Sequence, residues 1–135
     1  MPFVLDAPVA ACWAFPDEGH RAASLAFARI RQDEAVVPSL WWFEVRNILI
    51  ANERGKRICE SESASFLADL SRLPTRVDRE PGEPSVLRMA RTYRLSVYDA
   101  SYLELAARTG FPLATLDKAL AEAALEELVT LVGDL

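Results

Sequence analysis

The chain has 135 residues, 51% of them hydrophobic and 26% charged, which predicts a single globular domain over residues 1–135 with an extensive core. Its formal net charge of −5 argues at first against a nucleic-acid partner, because phosphate groups bind basic surfaces, although two bound divalent cations would bring the charge to about −1. We expect neither a signal peptide nor a membrane span, since no basic n-region opens the chain and no apolar run approaches the roughly 20 residues that cross a bilayer; this favours a cytoplasmic location without a membrane partner.

The first half of the chain alternates short apolar runs with helical patterns. The elements predicted there are a strand at 3–5, a short helix with Pro8 in its first turn, a helix from Gly19 to about Gln32, a strand at 35–37 and a long helix opened by Pro38-Ser39 and ended near Gly55. Proline suits the first turn of a helix because the N–H that it lacks has no partner there.

The second half continues the alternation. The elements predicted there are a helix over 61–73, a short strand at 76–78, a helix over 84–93, a helix over 99–109, a strand at 113–115, a helix over 118–125 and a strand at 129–131. Because helices and strands alternate along the whole chain, we expect an α/β fold with a parallel sheet.

Four carboxylates stand in otherwise apolar stretches of the sequence: Asp6, Glu44, Asp99 and Asp117. An ionised carboxylate withdrawn from water is costly unless a cation or hydrogen-bond donors compensate it. No Lys or Arg lies within two residues of Asp6 or Asp99. The pattern therefore indicates acids that share protons or bind a divalent metal.

The expected fold brings these four acids to one place. Asp6 and Asp117 each follow a predicted strand, Asp99 begins a predicted helix, and Glu44 lies inside a helix. In open α/β sheets, ligands bind at the edge where parallel strands end. Carboxylate oxygens suit the hard cations Mg²⁺ and Mn²⁺, so we expect one or two such ions at this edge.

Histidine and cysteine add no second metal motif to this sequence. His20 is the one histidine, and Cys12 and Cys59 fall in no metal-ligand spacing. We expect His20 at the surface near a helix start and the cysteines as small buried thiols, and we do not expect a zinc enzyme.

Each acid also has an ordinary structural interpretation. Asp6, Asp99 and Asp117 can serve as N-caps of the helices that follow them, a role for which Asp is favoured. Glu44 shares its helix with large apolar residues, so we expect it to point inward, where the structural alternative to a metal is a buried pair with an Arg.

Two polar residues can support the acids. Thr115 lies two residues before Asp117 and can hydrogen-bond a ligand carboxylate, or it can reflect β-propensity alone. Asn47 lies one turn beyond Glu44 and can orient it, or it can be an ordinary polar helix residue. For Trp41-Trp42 we expect a place in the core or a subunit interface rather than a base-stacking role.

Four motifs occur in a fixed order along the chain. They are Val4-Leu5-Asp6, Trp41-Trp42-Phe43-Glu44-Val45-Arg46-Asn47, Ser96-Val97-Tyr98-Asp99-Ala100 and Leu113-Ala114-Thr115-Leu116-Asp117. With these motifs essentially the whole chain resembles the PIN-domain family, in particular the VapC-type toxin ribonucleases of bacterial toxin–antitoxin pairs.

This resemblance implies a PIN-like three-layer fold, with a central, mostly parallel sheet flanked by helices. It implies an endoribonuclease, dependent on Mg²⁺ or Mn²⁺, that hydrolyses RNA with a metal-activated water. It also implies a cognate antitoxin and a homodimer. The residues that match the family pattern are Asp6, Glu44, Asp99 and Asp117 as metal-binding and catalytic acids, Thr115 as the hydroxyl residue and Asn47 as the supporting amide.

Position 8 departs from the family pattern. The family usually has Ser or Thr two residues after the first Asp, whereas Pro8 stands here and offers no hydroxyl. Pro8 favours one alternative, a PIN-like binding module with impaired catalysis. A haloacid-dehalogenase-like phosphohydrolase is a further alternative, but that family has a second Asp at this position. No Gly-rich phosphate loop supports a nucleotide-binding fold.

Overall fold

A parallel β-sheet forms the centre of the molecule. The computed structural model describes residues 1–133 of the chain, and within them the sheet has the strand order β3-β2-β1-β4. Its strands are β1 (Phe3–Leu5), β2 (Ala35–Pro38), β3 (Thr75–Asp78) and β4 (Leu113–Ala114). Every pairing in it is parallel, which confirms the α/β fold expected from the alternation of strands and helices.

Helices pack around this sheet in two groups. The helices are α1 (Ala7–Cys12), α2 (Arg21–Ile30), α3 (Trp41–Arg54), α4 (Glu60–Leu70), α5 (Glu83–Tyr93), α6 (Val97–Thr109) and α7 (Lys118–Glu126). In one group, α6 contacts β1, β2 and β4, and both α5 and α7 pack against α6. In the other, α1 packs against α2 and α3, and α2 contacts β4. Within residues 1–133, none of the helices combines the length and the apolar character of a membrane span.

The two central strands supply the middle of the core. Every residue of β1 and β2 is buried, as expected for parallel strands that helices cover on both faces. Tyr102 of α6 is a large, fully buried side chain in this core. The apolar stripe of α4, formed by Phe66, Leu67 and Leu70, packs against the same core, so its main contacts are internal.

Helix α6 begins two residues earlier than the sequence predicts. Ser96 occupies the N-cap, and its Oγ accepts a hydrogen bond from the backbone N–H of Asp99 at 3.0 Å, an arrangement favoured at helix starts. Asp99 is therefore the third residue of the helix and not its cap. The helix ends at Gly110, whose φ of +75° is one that glycine adopts readily.

Two further details differ from the sequence-based expectations. The strand expected at 129–131 is reduced to one parallel bridge between Leu131 and Leu113. Cys12 is buried as expected, but Cys59 is exposed at the N-cap of α4.

Candidate metal-binding site

Four carboxylates gather at the edge where the parallel strands end; we call Asp6, Glu44, Asp99 and Asp117 the acidic cluster. Asp6 follows β1, and Asp117 comes shortly after β4, the neighbouring strand. Glu44 lies in α3, the helix after β2, and Asp99 lies in the first turn of α6. Their negative charges act on one another: those of Asp99 and Glu44 on Asp6, that of Asp99 on Glu44, and that of Asp117 on Asp99.

Asp6 is the most deeply buried member of the acidic cluster. It is only 3% exposed because its backbone still belongs to the sheet, where its N–H donates to the carbonyl of Ala114 at 3.0 Å. Burial, with smaller contributions from the charges of Asp99 and Glu44, raises the pKa of Asp6 from 3.8 to about 7, although a hydrogen bond from Thr115 opposes the rise. A carboxyl group with this pKa changes between its protonated and its ionised form close to neutral pH.

Thr115 joins two acids of the cluster. Its Oγ1 donates to Oδ2 of Asp6 at 2.7 Å and accepts from the backbone N–H of Asp117 at 3.1 Å. Thr115 comes directly after Ala114, the last residue of β4. It thus uses both its donor and its acceptor capacity, and it positions the Asp6 carboxylate relative to the chain that leads to Asp117.

Glu44 is held by a tyrosine that the sequence analysis did not single out. The Tyr102 hydroxyl donates to Oε1 of Glu44 at 2.6 Å. Burial, followed by the neighbouring Glu44, raises the pKa of Tyr102 above its ordinary value, so the phenol stays protonated and remains a donor. Burial, followed by the charge of Asp99, also raises the pKa of Glu44, and the tyrosine hydrogen bond opposes this.

A signal for Tyr102 was present in the sequence. It lies three residues after Asp99, and residues three apart on a helix share a face. A buried ion pair between Glu44 and an Arg is not observed. Within residues 1–133 the partner of Glu44 is the Tyr102 phenol, and no Arg or Lys forms an ion pair with Glu44.

Helix capping accounts for only part of the acidic cluster. Asp117 caps α7, with its Oδ1 accepting from the backbone N–H of Leu120 at 2.9 Å. Asp6 occupies the cap position of α1 but makes no side-chain capping bond. Asp99 lies inside α6, where burial, followed by the charge of Asp117, raises its pKa. Capping therefore explains one oxygen of Asp117 and neither of the other two aspartates.

Within residues 1–133 the acidic cluster has no basic partner. Across residues 1–133, none of its four members pairs with a Lys, an Arg or the N-terminus. Glu104 provides an internal comparison, since it is also 3% exposed but accepts from Nε of Arg108 at 2.7 Å. Carboxylate oxygens that no cationic side chain neutralises are the ligands that hard divalent cations prefer. The residues therefore fit Mg²⁺ or Mn²⁺.

Two neighbours of Glu44 on α3, Asn47 and Trp42, are exposed. Asn47 is exposed, and in the part of the chain that the structure describes its amide makes no hydrogen bond to Glu44. Trp41 is buried in the core as expected, whereas Trp42 is 51% exposed and stacks against the guanidinium of Arg46 at 3.9 Å. Helix α3 thus presents an aromatic surface beside Glu44.

A second group of candidate ligands converges away from the acidic cluster. Ligand atoms of Cys12, Glu18 and His20 all lie within 4.8 Å of one another. Within residues 1–133, the members of the acidic cluster do not form a group as close as this one. The spacing of Cys12, Glu18 and His20 along the sequence matches no standard metal motif; the short helix α1 and the turn after it bring the residues together.

Comparison with known proteins adds a family context. The family model described as PIN domain matches residues 3–126, a range that includes the whole acidic cluster. The crystal structure of PAE2754 from Pyrobaculum aerophilum is similar with a TM-score of 0.69 and 26% sequence identity, over 91% of this chain and 79% of that chain. A search of curated proteins gave no match.

Proposed function

Because this chain belongs to the PIN-domain family, we propose that it is a Mg²⁺- or Mn²⁺-dependent endoribonuclease and the toxin of a toxin–antitoxin pair. The observation that carries the proposal is Asp6, a carboxylate that is 3% exposed, has its pKa raised to about 7 and lies among three other acids. A bound cation favours the ionised form of a buried acid whose pKa lies this close to neutral pH. In a fold typical of nucleases, such a cation would serve phosphodiester hydrolysis.

The acids have distinct roles in this proposal. Asp6, Glu44 and Asp99 would supply most of the metal coordination, and Asp117 would bind a second ion or orient the water. Mg²⁺ or Mn²⁺ held there would supply a more acidic water and positive charge beside the phosphate. Tyr102 fixes Glu44 through its 2.6 Å hydrogen bond, so that this carboxylate keeps one orientation.

Thr115 and Asn47 have supporting roles. Thr115 restricts rotation of the Asp6 carboxylate through its 2.7 Å hydrogen bond. Asn47 stands one turn from Glu44 at the exposed rim, where its amide can hydrogen-bond that carboxylate or the RNA backbone. Attack of water at phosphorus with the 3′ oxygen as leaving group yields a 5′-phosphate and a 3′-hydroxyl.

We place the RNA against exposed aromatic side chains next to the acidic cluster. Trp42 and Phe43 precede Glu44, and Tyr98 precedes Asp99; all three aromatic residues are more than half exposed. Stacking of a base on an aromatic side chain contributes roughly 1–3 kcal/mol and tolerates any sequence. This surface therefore provides affinity for single-stranded RNA despite the acidic net charge.

The proposal is tested by mapping new RNA 5′-phosphate ends in a bacterial host after induction of the wild type, Asp99→Asn and Glu122→Gln. Glu122 is an exposed acid on α7, outside the cluster, and serves as the matched control. Discrete new ends with the wild type and Glu122→Gln, but not with Asp99→Asn, would support the proposal. End maps that are the same for all three proteins, at equal soluble amounts, would contradict it.

Three further features belong to the same proposal: a cognate antitoxin that binds near the acidic cluster, a homodimer, and a cytoplasmic location where RNA is available. The homodimer is tested by size-exclusion chromatography with light scattering. A mass of twice 15.0 kDa at micromolar concentration is expected, and a monomer under those conditions would contradict the dimer.

One observation favours a second candidate function, a PIN-like module that binds RNA or protein without cleaving it. Pro8 is exposed in the first turn of α1, two residues after Asp6, and supplies no hydroxyl to the acidic cluster. Absence of measurable Mn²⁺ binding, together with absence of RNA cleavage, would favour this candidate.

A further inference from the structure

Three side chains of different ligand chemistry meet between α1 and α2. Cys12 is the last residue of α1, Glu18 lies in the following turn, and His20 is the N-cap residue of α2. Their ligand atoms lie within 4.8 Å of one another. We propose that Cys12, Glu18 and His20 form a zinc-binding site, separate from the acidic cluster.

The spacing of the ligand atoms matches tetrahedral zinc. With a Zn–S bond of about 2.3 Å and a Zn–O bond of about 2.1 Å, tetrahedral angles place sulfur and oxygen about 3.6 Å apart. Sγ of Cys12 donates a hydrogen bond to Oε2 of Glu18 over the same distance, 3.6 Å, so a metal that replaces the proton would not have to move these two atoms apart. The His20 ring, which is exposed and makes no capping bond, supplies the third ligand atom within 4.8 Å of the other two.

Arg57 holds the Glu18 carboxylate through the oxygen that is not bonded to Cys12. Nη1 of Arg57 donates to Oε1 of Glu18 at 2.9 Å, which leaves Oε2 facing Cys12. Arg57 is itself positioned by Oδ1 of Asn52 at 3.1 Å and by the ring of Phe15, whose centroid lies 4.6 Å from the guanidinium carbon. Support of a ligand carboxylate by hydrogen bonds is typical of metal sites.

The chemistry and the charge of the group favour zinc. Thiolate, imidazole and carboxylate are the three ligand types that Zn²⁺ takes in proteins, whereas Mg²⁺ and Mn²⁺ prefer oxygen alone. Metal binding would release the Cys12 proton, and the resulting thiolate and the Glu18 carboxylate would balance the two charges of the ion. Asp17, whose Oδ2 lies 3.4 Å from Nη2 of Arg57, balances the arginine.

A cavity beside the ligands leaves room for a fourth one. Its volume is about 320 Å³, and its walls include all three proposed ligands together with Pro8 and Leu116. A water or a substrate group can therefore complete the tetrahedron. Because Pro8 and Leu116 lie within two residues of members of the acidic cluster, an ion here would fix the 13–20 turn at the rim of that cluster.

The test uses Co²⁺ as a spectroscopic probe for Zn²⁺ on the full chain. Wild type, Cys12→Ser, His20→Ala and Cys59→Ser are titrated with Co²⁺, and a thiolate-to-cobalt charge-transfer band is followed in the near ultraviolet. Cys59 is exposed and outside the site, so its variant is the matched control. The band reports sulfur coordination, and Co²⁺ bound by carboxylates alone does not produce it.

We expect the full band in the wild type and in Cys59→Ser, corresponding to one sulfur-coordinated Co²⁺ per chain, and we expect Zn²⁺ to abolish it. The band should be lost in Cys12→Ser, and His20→Ala should bind about tenfold more weakly or worse. Because His20 is exposed, its variant keeps the test decisive if Cys12→Ser fails to fold. Absence of the band from the wild type, its loss in Cys59→Ser, or unchanged affinity in His20→Ala would overturn the proposal.

Discussion

Replacement of Asp6 by Asn is expected to stabilise the metal-free protein at neutral pH. The amide has the shape of the carboxylate and keeps an oxygen that can accept the 2.7 Å hydrogen bond from Thr115. Its NH₂ group adds donors toward the remaining acids of the cluster. Asn carries no charge, so the variant removes the cost of burying one at a position that is 3% exposed.

The magnitude follows from the pKa of Asp6, which is raised from 3.8 to about 7. A rise of about 3 units corresponds to about 4 kcal/mol, at 1.36 kcal/mol per unit. Between pH 4 and pH 7 the native state binds more protons at Asp6 than the unfolded chain does, so the free energy of unfolding falls as the pH rises through this window. Above pH 7 Asp6→Asn should be the more stable protein by up to about 4 kcal/mol.

Urea denaturation in the presence of a chelator, at pH 5 and pH 8, measures this effect. The wild type should lose stability between the two pH values, and Asp6→Asn should lose much less; Glu44 and Asp99, whose pKa values are also raised, account for the remainder. Added Mn²⁺ should stabilise the wild type by mass action and leave Asp6→Asn nearly unchanged.

Glu104→Gln is the matched control, because Glu104 is equally buried but paired with Arg108. Its replacement breaks a charge-assisted hydrogen bond and should lower the free energy of unfolding by about 2 kcal/mol. The reasoning is refuted if Asp6→Asn is no more stable than the wild type at pH 8, or shows the same slope with pH.

Three other variants test the neighbours of the acids. Tyr102→Phe removes the donor to Glu44 and should lower the free energy of unfolding by about 2 kcal/mol. It should also raise the pKa of Glu44 further, which NMR titration can follow. An unchanged pKa of Glu44 would contradict the assigned contact. Thr115→Val should weaken Mn²⁺ binding about tenfold by calorimetry, because Asp6 loses its hydrogen bond, and equal binding would rule out a positioning role. Pro8→Ser adds a hydroxyl near Asp6 and should strengthen Mn²⁺ binding, with weaker binding as the contrary result.

Much of the fold could be predicted from the sequence. Strands β1 and β2 were recognisable as short apolar runs, since parallel strands covered on both faces leave little room for polar residues. The start of α6 was placed two residues late, because the capping role of Ser96 was not distinguished from that of Asp99. The segment at 129–131 has the composition of a strand, but it forms only one bridge, with Leu113.

The position of the acids at one sheet edge followed from their place after predicted strands and at helix starts. Their metal-binding role remains a prediction that the measurements above address. Two features depend on tertiary contacts that a linear sequence does not reveal. One is the 2.6 Å hydrogen bond between Tyr102 and Glu44, 58 residues apart; the other is the meeting of Cys12 with His20 around a turn.

The central claim, that the acidic cluster binds a divalent cation, is tested most directly by an equilibrium Mn²⁺ titration in which electron paramagnetic resonance counts the free ion. Wild type, Asp99→Asn and the exposed control Glu122→Gln are compared at neutral pH. We expect equal binding by the wild type and Glu122→Gln, and affinity weaker by about tenfold or more in Asp99→Asn. The same affinity in all three proteins, or no binding by the wild type, would contradict the claim.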